Sequence, residues 1–169
     1  MPNHPRNCPL RLDPLTDDTL TLFQKILLAT DGTVTELLSL YTGRPIAARK
    51  IAAECDAGPS PVMQRTVLLE GPDGTPYLHA ASRFAFERFS PAIQRDLVET
   101  DLPIGLLWRR EKLEMHREII GCTRLADAQI ASLLQVAPAT LLLSRSYRII
   151  HGGQELGTIC ETFSPTVLR

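Results

Sequence analysis

The sequence predicts an α+β fold, a single antiparallel β-sheet with helices packed on one side. Three observations predict it. Apolar residues recur at helical spacing through residues 19–43. Two pairs of β-forming runs are joined by short turn signals, Pro72-Asp73-Gly74 and His151-Gly152-Gly153. Between those hairpins, Ser90-Pro91 has the form of a helix start.

The elements follow in order. Residues 1–15 contain Pro2, Pro5, Pro9 and Pro14 and read as an irregular lead-in. Thr16-Asp17-Asp18 precede residues 19–30, where Leu20, Phe23, Ile26 and Leu27 share a helical face and the aspartates read as capping groups. Asp31-Gly32 breaks that helix. Thr33 with Glu36 has the capping-box pattern and opens a second helix, which Gly43 closes. The two should form a helical hairpin over something apolar. Segment 46–53 is alanine-rich and β-like after Pro45. Residues 62–71 and 75–86 form the first hairpin around the Pro-Asp-Gly turn. Ser90 caps a helix that runs to Thr100, Leu102-Pro103-Ile104-Gly105 stops it, and residues 106–111 form a short helix. In 112–121, Leu113, Met115, Arg117 and Ile119 alternate with Glu114, His116, Glu118 and Ile120, the pattern of a strand. Residues 126–136 read as a helix closed before Pro138, and 141–150 with 156–163 as the second hairpin.

A length of 169 residues suits one domain, spanning 1–169. With 44% hydrophobic and 22% charged residues the chain should fold, and a net charge of -1 argues against a broad nucleic-acid-binding face. It leaves room for a small anion held by one or two arginines. No apolar run approaches the ~20 residues that span a bilayer, and no secretory signal is visible, so a cytoplasmic setting is expected. Cys8, Cys55, Cys122 and Cys160 are scattered and read as free thiols. Cys160 beside Glu161 has no nearby base and reads as inert. His4, His79, His116 and His151 lie far apart without metal-binding spacing, so no metal is expected. No glycine-rich phosphate loop occurs.

Two charges stand on faces that should be apolar. Strand alternation puts Arg65 with Met63, Val67 and Leu69, and Glu161 with Ile159 and Phe163. An inward arginine costs several kcal/mol unless it is paired or binds an anion. One reading is a buried ion pair between Arg65 and Glu161. The other is a small enclosed pocket in which Arg65 forks onto a ligand carboxylate and Glu161 accepts a ligand hydroxyl. Arg83, Arg117, Glu118, Arg145 and Tyr147 are further polar candidates, each also readable as a solvated or strand-pairing residue.

The runs DGTVTELLSLYTGRPI, QRTVLLEGPDGTPYLHAASRFAF, LPIGLLWRREKLEMHREI and RSYRIIHGGQELGTICETFSP resemble, in order, the chorismate pyruvate-lyase (4-hydroxybenzoate synthase) family. The similarity is greatest to the branch outside the ubiquinone-pathway enzymes and covers about residues 17–165. It implies the chorismate lyase-like fold, with helical flaps over an internal ligand site. It also implies a cofactor-free carbon–oxygen lyase that converts chorismate to 4-hydroxybenzoate and pyruvate. In the matching motifs, Arg65 would hold the ring carboxylate, helped by the backbone amides of Val34 and Ile104, and Glu161 would bond the 4-hydroxyl. A second cation, Arg83, Arg117 or Arg145, must hold the enolpyruvyl carboxylate. The turn after Tyr147 is longer than in the ubiquinone-pathway members.

Two other functions fit the same residues. One is a non-catalytic small-anion-binding domain, since effector-sensing domains of certain transcription regulators share the fold. Those carry a winged-helix domain in front, whereas some 15 residues precede the first helix here. The other is a lyase-fold enzyme acting on a related cyclic acid. The partner in each case is a small molecule, and neither nucleic acid nor a membrane is expected. The sequence does not show an oligomeric state.

Overall fold

The computed structural model describes residues 10–168. Strand β1 (Leu10–Leu12) leads into α1 (Leu22–Ala29) and α2 (Val34–Thr42). Then come β2 (Ala47–Cys55), β3 (Val62–Glu70), β4 (Pro76–Ala85), α3 (Pro91–Glu99) and α4 (Ile104–Arg110). The chain ends with β5 (His116–Leu125), α5 (Ala128–Leu133), β6 (Leu142–His151) and β7 (Gln154–Phe163). The seven strands make one antiparallel sheet in the order β1-β5-β6-β7-β4-β3-β2. No described helix is long and apolar enough to cross a membrane. Cys55, Cys122 and Cys160 are free thiols, whereas Cys8 and His4 lie outside the described residues.

Both hairpins form where expected. Gly152 and Gly153, at φ 55° and 77°, make the two-residue turn between β6 and β7, a left-handed pair that suits glycine. The helical hairpin also forms, with different caps. Helix α1 starts at Leu22 rather than near Asp17-Asp18, because Thr21 and Gln24 complete a capping box, 3.3 and 3.1 Å. Asp17 instead pairs with Arg124 of β5 at 2.7 Å, which holds its carboxyl well below the usual carboxylate range. Thr33 does cap α2, but its hydroxyl makes no capping bond, and Glu36 turns to Arg109 of α4. An ion pair to a neighbouring helix has displaced the local box.

Three further expectations are corrected. Part of the lead-in is regular: Leu10–Leu12 pairs with Cys122–Arg124, because β5 would otherwise be a free edge. Strand β5 begins at His116, four residues late, since Lys112 at φ 52° turns the chain out of α4. A bulge between Ile119 and Gly121 then shifts its phase, so Cys122 faces inward. Finally, the helices do not all lie on one side. Leu27 and Leu28 of α1, Leu38 of α2, Ile93 and Leu97 of α3 and Leu107 and Trp108 of α4 join the main core. Helix α5 covers the opposite face, where Ala131 and Leu134 pack on Leu68 and Leu142. Those two strand residues are out of phase with Arg65 and Arg145 and need their own cover.

His79 also points to the α5 side, is buried, and leaves Nδ1 without a partner. Burial pushes its pKa below the ordinary 6.5, against a smaller opposite pull from Asp127. The unfolded chain therefore binds the extra proton first as pH falls. Stability contributed by neutral His79 is full above about 6.5 and declines below it. Melting temperature is expected to fall between pH 7.5 and 5.5, with a shallower fall in His79→Leu. Parallel slopes in thermal melts would remove His79 as the cause.

Candidate active site

The sheet register sets out the floor of the site. Directly opposed residues share a face, so Arg65, Ser82, Ile159, Tyr147 and Ile119 form one row across β3, β4, β7, β6 and β5. The next row is Val67, Ala80, Glu161, Arg145 and Cys122. Arg65 and Glu161 are thus two strands and one row apart, roughly 12 Å between Cα atoms. They do not form the buried ion pair that one sequence reading contained. A cavity with about 510 Å³ of empty space, its mouth included, lies over this floor.

Arg65 closes one end. Its Nη2 donates to the carbonyls of Thr100 (3.3 Å) and Leu102 (3.1 Å), and its buried Nε has no partner. Lys50 bonds the carbonyls of Val98 and Thr100, so two cations hold the C-terminal end of α3. Burial depresses the Arg65 pKa, partly offset by Asp101, but a guanidinium stays charged at neutral pH. A buried cation with carbonyl partners and a spare donor is left short of an anion.

Two helix starts complete that end. Intrahelical bonding begins at Glu36 in α2 and Leu106 in α4, so the N–H groups of Val34, Thr35, Ile104 and Gly105 precede it. All four residues line the cavity beside Arg65. A Cβ on Gly105 would lie 2.9 Å from Thr33 Cγ2, so a glycine lets the two helix starts meet. The Arg109–Glu36 pair links the same helices outside.

The other end carries Glu161. Its Oε2 accepts from Arg145 Nε at 2.7 Å and its Oε1 from Tyr147 Oη at 2.9 Å. Arg145 is fully enclosed, donates through Nη1 to Thr30 O at 2.6 Å, and lies 5.1 Å from the Tyr147 ring centre. Burial, then the Glu161 charge, pushes the Tyr147 pKa well above its ordinary value, so the phenol keeps its proton. Between the two ends Val67, Leu69, Leu78, Ala80 and Ile159 make the walls apolar. Among the described residues no cluster of three or more His, Cys, Asp or Glu side chains could hold a metal ion.

A sequence model of Rv2949c-like chorismate pyruvate-lyases matches residues 28–169. The chain belongs to this family. MJ0807 of Methanocaldococcus jannaschii, which carries a provisional lyase name, is 33% identical over 148 residues, 83% of this chain and 77% of that protein. The chorismate pyruvate-lyase of Mycobacterium leprae is 28% identical over 164 residues, 86% of this chain and 75% of that one. Among solved structures, the effector domain of PhnF from Mycobacterium smegmatis superposes with a TM-score of 0.60 at 15% identity, over 79% of this chain and 88% of that one. The C-terminal domain of the histidine utilization repressor from Pseudomonas syringae pv. tomato gives 0.53 at 13%, over 72% and 92%. At such identities the two domains show a shared fold.

In this chorismate pyruvate-lyase family member the structure brings Val34, Arg65, Ile104, Arg117 and Glu161 to one cavity. It does not bring Arg83, which is exposed on the opposite face of β4, out of phase with Ser82 and Phe84. Arg145 does not line the cavity: it bonds Glu161 and the Thr30 carbonyl from behind, and its buried Nη2 has no partner among the described residues. Arg117 bonds the Asp31 carbonyl at the cavity edge. Arg145 and Tyr147 are buried rather than solvated, whereas Glu118 is exposed and pairs with Arg148. Ser82 was not anticipated. Its alternation with Leu78, Ala80 and Phe84 was the available signal, weak because a serine fits either face of a strand.

Proposed function

We propose that this family member is a chorismate pyruvate-lyase that forms 4-hydroxybenzoate and pyruvate without a cofactor. The observation that carries the reading is a single apolar cavity with an unsated arginine at one end and a held glutamate at the other. Arg65 and the amides of Val34 and Ile104 bind the ring carboxylate, and Glu161 accepts the 4-hydroxyl. Arg117 takes the enolpyruvyl carboxylate, being the remaining candidate arginine that lines the cavity. The hydrogen on the hydroxyl-bearing ring carbon leaves as a proton, and its electron pair completes the aromatic ring. The ether C–O bond breaks with its electrons on the enolpyruvate oxygen, and protonation of the methylene gives pyruvate. The balance needs no oxidant, so the protein's task is to hold a reactive conformer away from water.

The test is incubation of purified protein with chorismate, without added metal, measuring pyruvate and 4-hydroxybenzoate together. Equal yields support the reading. Pyruvate with another aromatic product supports a lyase for a related acid. Tight binding without turnover supports a small-anion sensor, a reading favoured by the effector domains that share the fold. Arg117→Ala is expected to weaken chorismate binding about tenfold or more, the scale of one charge-assisted contact. Binding of 4-hydroxybenzoate, which lacks the second carboxylate, should be nearly unchanged. Equal losses for both in calorimetric titration would place Arg117 elsewhere in the mechanism.

A further inference from the structure

Both oxygens of Glu161 already hold a donor, Arg145 Nε on Oε2 and Tyr147 Oη on Oε1. The two donors differ in position. Arg145 is enclosed behind the carboxylate, whereas Tyr147 itself lines the cavity, in the same cross-sheet row as Arg65 and Ser82. A phenol that donates its one proton to a carboxylate presents only lone pairs elsewhere. Neither Tyr147 nor Glu161 then has a proton to offer a ligand from this end. Both are acceptors.

We propose that Tyr147 is a ligand-contacting residue, and that the Tyr147–Glu161 couple selects cyclic acids whose substituent opposite the carboxylate is a hydrogen-bond donor. The inference rests on reading the cavity as the site for a hydroxylated cyclic acid, and it goes further in naming a second contact and a rule of selection. A hydroxyl or an amine at that position satisfies the couple. A methoxy group, which only accepts, meets two acceptors and leaves their remaining lone pairs desolvated and unmet. Hydrogen at that position leaves the same lone pairs unmet. The carboxylate end is indifferent to these changes, since Arg65 and the helix-start amides meet the same group in every analogue.

The experiment is calorimetric titration of the wild type and Tyr147→Phe with 4-hydroxybenzoate, 4-aminobenzoate, 4-methoxybenzoate and benzoate. The wild type is expected to bind the hydroxy and amino acids about tenfold or more tighter than the methoxy acid and benzoate, the scale of one hydrogen bond with a buried charged partner. In Tyr147→Phe that preference should shrink several-fold while benzoate affinity holds, a ratio that a purely structural loss would not move. Thermal melts confirm that the variant is folded, and Arg65→Met serves as the control that weakens all four acids together. An undiminished preference in folded Tyr147→Phe would overturn the proposal and leave the functional reading standing. Failure of the wild type to bind any of the four would overturn both.

Discussion

Arg65→Met should cut kcat/KM for chorismate by about 10²- to 10⁴-fold, while the melting temperature stays level or rises. The loss follows from removing the two charge-assisted bonds proposed between Arg65 and the ring carboxylate, each about 1.5–3 kcal/mol. The stability follows from the contacts Arg65 makes within the protein. It is 2% exposed, its protein partners are two backbone carbonyls, and its Nε is unpaired. That arrangement leaves a buried charge with few partners, and an unbranched apolar side chain of similar reach relieves it. Steady-state kinetics beside calorimetric melts checks both halves. A large drop in melting temperature would show Arg65 to be a structural cation, and the carboxylate site would lose its anchor.

Glu161→Gln should be costly in both respects. The neutral side chain leaves Arg145, fully enclosed, without its counter-charge, and breaking a buried pair from one side costs about 3–5 kcal/mol. For a chain of this size that corresponds to roughly 10 °C in melting temperature. On the proposed function turnover should also fall, because the 4-hydroxyl would lose its anionic acceptor. A second variant separates the two effects. In Arg145→Met with Glu161→Leu both charges are replaced by apolar groups, an exchange that is often neutral or stabilising. The double variant should recover most of the lost stability and none of the activity. If instead Glu161→Gln melts with the wild type, the carboxylate is better solvated than its surroundings indicate. Restored activity in the double variant would remove Glu161 from the chemistry.

The contrast between these arginines marks where the sequence could and could not be read. Strand alternation alone put Arg65 and Glu161 on inward faces, because a strand's side chains have a period of two and a hairpin turn fixes the phase. It could not pair them. Which strands become neighbours is a matter of sheet order, and β7 sits between β4 and β6. Glu161 therefore meets Arg145, its register partner, rather than Arg65 across β4. The same alternation placed Arg83 out of phase with Ser82, yet only the assembled sheet shows which face the helices enclose. The β5 bulge is invisible in a pattern that alternates through Ile119, and α5 carries the same helical period whichever face it covers.

By itself, then, the sequence determined most of the local elements, the two hairpins, the inward charges and the family resemblance, because each rests on spacing along the chain. Only the tertiary structure decided that Glu161 belongs to Arg145 and Tyr147, that Arg117 rather than Arg83 reaches the cavity, and that among the described residues Arg65 bonds two carbonyls rather than a carboxylate. Those outcomes depend on strand order and on two helix starts meeting over one face. Packing of the whole chain sets both, and no single segment encodes them.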